Sequence, residues 1–388
     1  TGNAIATLAG STGTVSFLDN GGFDIGTVNT VGLTTSGNTT LSSTGTVTQS
    51  NLIAAAGLEL LGSGGAYTFT NTSNAITTLA GNTGTVSFLE NSGFAIGTVN
   101  TVGLTTTGNT TLSSAGTVTQ SQKVAASGLE LLGSGTFTLT NTGSANAVTT
   151  LAANAGVVSF TQGTVFTVGT VNTVGITTTG NLALVGSAGM TIGANISTGA
   201  GTQTYTGPIT LSTGAITLAS TDAAIIFSGS TTTINGARDL TINSGSARIT
   251  FGGTVGQSTA ISSLTLQGVG ENFLPSAITA TGNIDLKGAS RTNPLQINTS
   301  VTSSSNGNVT LGDTTGVYSL GISNGSGFIS LATVGSSSSK LTTLTLYGTG
   351  INKLNGNITT TGAVDLKGSL RTTQLFSDVT INTTNSDV

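Results

Sequence analysis

A long internal repeat is the feature that most constrains how this chain can fold. Residues 15–50 return almost unchanged at residues 86–121, and Phe17 and Leu58 recur as Phe88 and Leu129, a shift of 71 in each case (88 − 17; 129 − 58). A third, weaker copy places Phe160 a further 72 residues on (160 − 88). A period of this length is typical of a chain that stacks similar units along one axis, each contacting mainly its neighbours.

A second repeat family occupies the end of the chain. The segment from Ser263 matches the segment from Thr343, and Leu264 recurs as Leu344, an offset of 80 (344 − 264). We therefore predict repeats of about 71 residues over 1–181 (1–73, 74–145 and a partial 146–181), irregular windings over 182–262, and repeats of about 80 residues over 263–388. All three parts are expected to form one continuous rod.

Composition and patterning favour strands over helices. Only 6% of the residues are charged, against about 25% in an ordinary domain, and 58 glycines accompany many Thr, Val and Ile residues that suit a pleated surface. In residues 282–288, Ile284 and Leu286 alternate with Asp285 and Lys287, as in a half-buried strand. These features predict an all-β, right-handed parallel β-helix with about three strands per rung, where a rung is one full winding of the backbone.

The predicted core consists of aliphatic and aromatic residues that recur between copies. The candidates in the first copy are Val15, Phe17, Ile25, Val28, Val31, Leu33, Leu41, Val47, Leu58 and Leu60, and their copies include Val86, Phe88, Leu104, Leu112 and Leu129. Burial of each such side chain is expected to contribute about 1.5–3 kcal/mol.

Two sets of polar residues also recur. Asn38, Asn109 and Asn181 mark turns, where their amides either stack along the rod axis or simply tolerate a left-handed turn conformation. The second set predicts a solvated stripe of charge that limits sideways association; it comprises Asp285, Lys287 and Arg291 with their copies Asp365, Lys367 and Arg371.

The sequence offers little for catalysis. Histidine and cysteine are absent, which removes the usual general base and the preferred zinc ligands, so we expect no enzyme, metal or cofactor. A net charge of −4 without a basic patch argues against nucleic acid. No apolar run approaches the roughly 18 residues of a membrane-spanning helix.

Three motifs carry a resemblance to a known family: ITATGNIDLKG at 278–288, TTGNTTLSSAGTVTQS at 106–121 and GARDLTINSGSARITFGGTVGQSTAISSLTLQG at 236–268. The chain resembles filamentous-haemagglutinin-like exoproteins of Gram-negative bacteria and the wider class of giant β-strand-repeat adhesins. The resemblance implies export across the outer membrane by a two-partner or autotransporter route, folding outside the cell, and roles in adhesion, biofilm or fibre formation. The secretion domain of that family is not visible in this sequence.

These observations predict an extracellular structural protein, either the stalk of an adhesin or the repeating body of a surface filament. Expected partners are further copies joined end to end, continuation in a longer chain, or a carbohydrate or protein receptor on a host cell or matrix. The alternative is a β-helix that binds or cleaves polysaccharide.

Overall fold

The computed structural model describes residues 3–288, 293–297, 300–304, 306–366 and 372–385. The strands pair in parallel and stack about 22 residues apart, and no helix occurs in these ranges. The prediction of an all-β solenoid is confirmed. By its internal contacts the chain divides into two compact units, Thr1–Ala188 and Gly189–Val388.

The first unit contains several strands of 15 to 17 residues that continue around the corners of the solenoid. Its strands are Thr7–Leu8, Gly10–Thr12, Val15–Leu18, Gly22–Ile25, Leu33–Thr35, Asn38–Ser42, Thr46–Gln49, Ile53–Phe69, Ala75–Leu89, Ala95–Ile96, Leu104–Thr106, Asn109–Ser113, Thr117–Gln120, Val124–Leu139, Ala147–Gln162, Phe166–Val168, Ile176–Thr178 and Leu182–Gly186.

The second unit is built from shorter strands of two to five residues. They are Met190–Ile192, Ile196–Thr198, Gln203–Thr206, Ile209–Leu211, Ile216–Ser220, Ile225–Phe227, Ile234–Asn235, Asp239–Asn243, Ile249–Phe251, Ser263–Leu266, Ala277–Ala280, Ile284–Leu286, Leu295–Gln296, Ser300–Ser303, Val309–Leu311, Thr314–Thr315, Leu320–Ser323, Ile329–Leu331, Leu344–Tyr347, Ile351–Leu354, Ile358–Thr360, Val364–Asp365, Thr372–Leu375 and Ile381–Thr383.

The repeat in the first unit does not correspond to a whole number of rungs. One stack of paired residues runs Val15, Thr39, Leu58, Leu79, Ile96. Another runs Phe23, Val47, Tyr67, Val86, Thr110, Leu129. Val86, the copy of Val15, falls in sequence between Leu79 and Ile96, three and four rungs after Val15, and it belongs to the other stack. One copy therefore spans about three and a half rungs, so successive copies present equivalent residues on different faces.

The 80-residue repeat of the second unit is also out of step with its rungs. One stack runs Leu264, Ile284, Val309, Ile329, Asn352. Leu344, the copy of Leu264, instead pairs with Leu320 and Val364 in a separate sheet. Equivalent residues of the two copies therefore lie on different faces here as well.

The interior is aliphatic and aromatic. Eight recurring candidates are at most 2% exposed: Leu33, Leu41, Leu58, Val86, Phe88, Leu104, Leu112 and Leu129. Val15 and Phe17 are only half-buried. The expectation that Val28 and Val31 are core residues is wrong, because their side chains are 60% and 58% exposed on a loop that leaves the solenoid wall.

The asparagines Asn38, Asn109 and Asn181 do not stack on one another. Asn38 pairs with Gly57 and Asn109 pairs with Gly128 on the neighbouring rung. The half-rung offset between copies is the reason, since it moves each asparagine away from the stack of the previous one. The prediction of an axial column formed by these three amides is wrong.

The recurring charges likewise fail to form one stripe. Asp285 pairs with Thr265 and Thr310, whereas Asp365 pairs with Thr345 in a different sheet. The Lys287 side chain is exposed. Arg291, Lys367 and Arg371 lie outside the described residues. The register of the 80-residue repeat separates the two aspartates, which corrects the expectation that they stack at like positions.

Candidate assembly site

Three copies of the sequence Gly-Thr-Val-Asn-Thr-Val-Gly form closed loops that leave the wall of the first unit. They are called clasp loop 1 (26–32), clasp loop 2 (97–103) and clasp loop 3 (169–175). In each, the last glycine N–H donates to the first glycine C=O at 2.8 Å, and the second and sixth residues form an antiparallel bridge.

The closing glycine is required by the backbone. Gly103 has φ of 76°, a region that residues with a Cβ rarely adopt, and Gly32 and Gly175 have φ of 72° and 71°. A Cβ on Gly103 would also lie 2.5 Å from the carbonyl oxygen of Lys123. The loop can therefore lie flat against the wall only with glycine at its end.

Clasp loop 2 folds back along the wall and binds a glutamate. The loop follows Ile96, which pairs with Leu79 and through it with Leu58, so the adjacent Glu59 lies two rungs earlier. Asn100 Nδ2 donates to Glu59 Oε2 at 2.7 Å, and the Thr101 N–H donates to Glu59 Oε1 at 2.6 Å. One loop thus holds both oxygens of a single carboxylate.

A threonine on a third rung completes the site. Thr40 pairs with Glu59 in the strand ladder, and its Oγ1 donates to Glu59 Oε2 at 2.8 Å. The same Oγ1 accepts from Asn100 Nδ2 at 3.3 Å. The loop therefore connects its own rung to strands two and three rungs earlier.

Clasp loop 3 repeats this geometry on the next copy. Asn172 Nδ2 donates to Glu130 Oε2 and the Thr173 N–H donates to Glu130 Oε1, both at 2.7 Å. Thr111 Oγ1 donates to Glu130 Oε2 at 2.8 Å. Because consecutive copies differ by half a rung, this loop lies in the stack opposite to that of clasp loop 2.

Small residues make room for each loop. A Cβ on Gly57 would lie 2.9 Å from a methyl group of Val99, and a Cβ on Gly128 would lie 3.0 Å from a methyl group of Val171. Ala80 and Ala152, on the wall between glutamate and loop, are completely buried. The wall is therefore shaped to accept the loop as well as to bind its polar groups.

The two glutamates are buried in their charged form. Glu59 and Glu130 are each 1% exposed. Burial raises the pKa of each carboxyl, but the hydrogen bonds from the loop asparagine, the loop threonine and the wall threonine together outweigh burial, so the net pKa lies below its ordinary value. The site holds a carboxylate and presents no nucleophile beside it, which is the chemistry of a structural tie.

Sequence reasoning missed Glu59 and Glu130. The signal was present, because each lies between two leucines in Gly-Leu-Glu-Leu-Leu and the chain contains only four glutamates. A charge at the same repeat position between core residues indicates a buried partner. The half-rung offset hid that partner, since loop and glutamate are 41 to 43 residues apart in sequence.

The residues considered for carbohydrate binding are dispersed. Tyr67 and Tyr205 are buried, whereas Tyr318 and Tyr347 are 53% and 54% exposed. Tyr347 pairs with Ser323, five residues beyond Tyr318, so the two exposed rings are separated along the strand by roughly 16 Å.

A shallow polar hollow of about 270 Å³ lies in the second unit. Asp285 and Lys287 line it together with Asn283, Asn308 and Phe328. The Lys353 ammonium lies 3.9 Å from the centroid of the Phe328 ring, so a cation already occupies one side of that ring.

Among the described residues, no group of three or more candidate metal ligands forms, and no helix has the length and apolar character needed to span a membrane. No family model, curated protein or solved structure matches this chain.

Proposed function

We propose that this chain is a structural, extracellular rod, either the stalk of a bacterial adhesin or the repeating body of a cell-surface filament. Export across the outer membrane and a filamentous-haemagglutinin-like origin belong to the same proposal, on the strength of the motifs at 106–121, 236–268 and 278–288. The rod itself catalyses no reaction, and its partners are further copies or a surface receptor.

The observation that carries the proposal is the repetition of the buried glutamate site. Clasp loop 2 on Glu59 and clasp loop 3 on Glu130 have the same contacts within 0.1 Å for the carboxylate bonds. A catalytic site is normally single, whereas a device that joins successive units recurs with those units. The recurrence therefore favours a load-bearing array.

Electron microscopy of the purified chain and of native surface material tests this proposal. Uniform rods are expected, and a continuous solenoid of this chain with about 4.8 Å per rung would measure on the order of 80 Å. Single tapered stalks would identify an adhesin stalk, and uniform polymers with an axial repeat near the rod length would identify a filament. Compact, roughly isometric particles would contradict both.

The polar hollow supports a second candidate, a carbohydrate-binding or polysaccharide-cleaving β-helix. Its Asn283, Asn308 and Asp285 offer hydrogen-bonding groups of the kind that bind sugar hydroxyls, and Phe328 supplies an aromatic edge. Titration of oligosaccharides against the chain and against Asn308→Ala distinguishes the candidates. Binding that the substitution abolishes, or turnover of any polysaccharide, would favour the second.

A further inference from the structure

Clasp loop 1 has the sequence and the closed shape of the other two loops but lacks their ligand. Its Gly32 N–H donates to the Gly26 C=O at 2.8 Å, and Thr27 and Val31 form the same antiparallel bridge. Yet Val28 is 60% exposed, whereas its equivalents Val99 and Val171 are half-buried against glycine. The loop is formed and its binding side faces solvent.

No glutamate of this chain is available to it. Glu59 and Glu130 are held by the other two loops. Glu90 accepts from the backbone N–H groups of Ser92 and Gly93 in its own turn, at 3.0 and 2.6 Å. The fourth, Glu271, pairs with Arg248 in the second unit. Two rungs before clasp loop 1, where its glutamate would lie, the printed sequence has no residue.

We propose that clasp loop 1 is a docking element for a further copy of the 71-residue repeat, whose Gly-Leu-Glu strand it binds through Asn29 and the Thr30 N–H. The inference rests on the proposed structural role and specifies how one repeat recognises the next. The ligand is an ionised carboxylate on the outer face of a parallel strand. A glycine two residues earlier accommodates Val28, and a threonine on the preceding rung donates to the same carboxylate.

The occupied loops supply the geometric basis. Both bind their glutamate with the same three side chains or backbone groups at the same distances, although they lie in opposite stacks of the solenoid. The contact therefore depends on the local sequence and not on the face of the rod. Clasp loop 1 carries that sequence without change.

Cysteine pairing tests the contact, since the chain contains no cysteine. The test protein is the full chain preceded by a second copy of residues 3–73, with Gly57→Cys in the added copy and Val28→Cys in the original part. The positive control is the original chain with Gly57→Cys and Val99→Cys, because a Cβ at Gly57 lies 2.9 Å from a Val99 methyl and disulfides need Cβ atoms about 3.8 Å apart. We expect the same extent of disulfide under mild oxidation in both. A test pair that stays reduced while the control closes would overturn the inference.

Hydrogen exchange gives a reading that needs no cysteine. In the original chain, residues 24–33 should exchange about tenfold or more faster than residues 95–104, the effect expected from losing hydrogen bonds to a charged group. Adding the copy, with Asn29→Ala within it to distinguish its peptides by mass, should remove that difference. Unchanged exchange at 24–33 in the extended chain would overturn the inference. Rod length in the microscope is read independently, so a longer rod with a free clasp loop 1 leaves the proposed function standing.

Discussion

The two units join their rungs by different means. In the first unit, Asn100 and Thr101 reach a glutamate 41 and 42 residues earlier, across two rungs. In the second unit, single amide oxygens accept a backbone N–H from the next rung. Examples are Asn195 with Thr217, Asn235 with Ser258, Asn283 with Asn308, Asn306 with Ser326 and Asn357 with Thr380, all 20 to 25 residues apart.

This difference accounts for how closely the repeats are preserved. A clasp requires a seven-residue loop, a glutamate two rungs earlier and a threonine three rungs earlier, so a change in any of them disables the site. An asparagine oxygen bonds to a backbone N–H, which every residue except proline supplies. The 71-residue copies are accordingly almost identical, whereas the 80-residue copies share mainly their strand residues and turns.

Strand length differs in the same way. Ile53–Phe69 passes around a corner as one strand, with a register shift between Gly62 and Ala66, and Val124–Leu139 does so with a shift between Gly133 and Thr136. Gly62 and Gly133 have φ of 115° and 95°, which glycine adopts without strain. The first unit therefore turns its corners within the hydrogen-bonded ladder, whereas the second interrupts the ladder at each corner.

The largest effect should be the same in both units, because both share an aliphatic interior. Leu129 and Leu264 are completely buried, and replacing either with alanine should lower the free energy of local unfolding by about 2–5 kcal/mol through lost burial and a cavity. Native-state hydrogen exchange in increasing denaturant measures each unit separately. A cost below about 1 kcal/mol for Leu264→Ala would show that the second unit is held by its polar contacts instead.

Removing a clasped carboxylate should have the next largest effect. Glu59→Ala should cost about 3 kcal/mol, since hydrogen bonds to a charged group contribute about 1.5–3 kcal/mol each. Exchange should accelerate in 97–103 and stay unchanged in 169–175, where Glu130 serves as the internal control. Equal acceleration in both loops would mean that the loops are held by the wall as a whole and not by their glutamates.

Acid should release the clasps but not the amide contacts. The pKa values of Glu59 and Glu130 lie below the ordinary 4.5, so their contribution is complete above that value and is lost as pH falls through the lower, folded-state pKa. The stability difference between the chain and Glu59→Gln/Glu130→Gln should therefore be constant near neutral pH and shrink below about 4.5. Local unfolding free energies at pH 7 and pH 3, corrected for intrinsic exchange, measure it. A difference that persists at pH 3 would contradict ionic clasping.

The sequence predicted the solenoid because strand alternation and repetition are local properties. Leu41 and Leu112 repeat with their neighbours, and burial follows from that pattern alone. The register between copies was not predictable in the same way, because it depends on how many residues each rung takes. Ile25 to Gln49 takes 24 residues and Leu8 to Ile25 only 17, so a repeat of 71 closes on the opposite face.

The same register explains which site predictions failed. Asn38 and Asn109, or Asp285 and Asp365, are equivalent in sequence but belong to different stacks. Val28 was assigned to the core because valine alternates with polar residues in a strand, but the glycines on either side close that segment into a loop.

A single amide contact in the second unit should contribute less than a clasp. Asn235 Oδ1 accepts from the N–H groups of Ser258 and Thr259 at 2.9 and 3.3 Å, and Asn235→Ala should cost about 0.5–1.5 kcal/mol as a loss of neutral hydrogen bonds. Asn235→Asp keeps the acceptor and should stay close to the parent at neutral pH. If both variants lose the same stability, the side chain acts through packing and not through its oxygen.

The smallest effect should come from the surface ion pair of the second unit. Arg248 and Glu271 are 2.7 Å apart, but their side chains are 53% and 36% exposed, so water and salt screen the attraction. Arg248→Ala should cost no more than about 1 kcal/mol, part of it from the contact of the guanidinium with the Phe273 ring at 4.8 Å. A double-mutant cycle with Glu271→Ala at low and high salt separates the two contributions, because only the ion pair weakens with salt. A coupling energy as large as the cost of Glu59→Ala would mean that charge ties the second unit as strongly as the first.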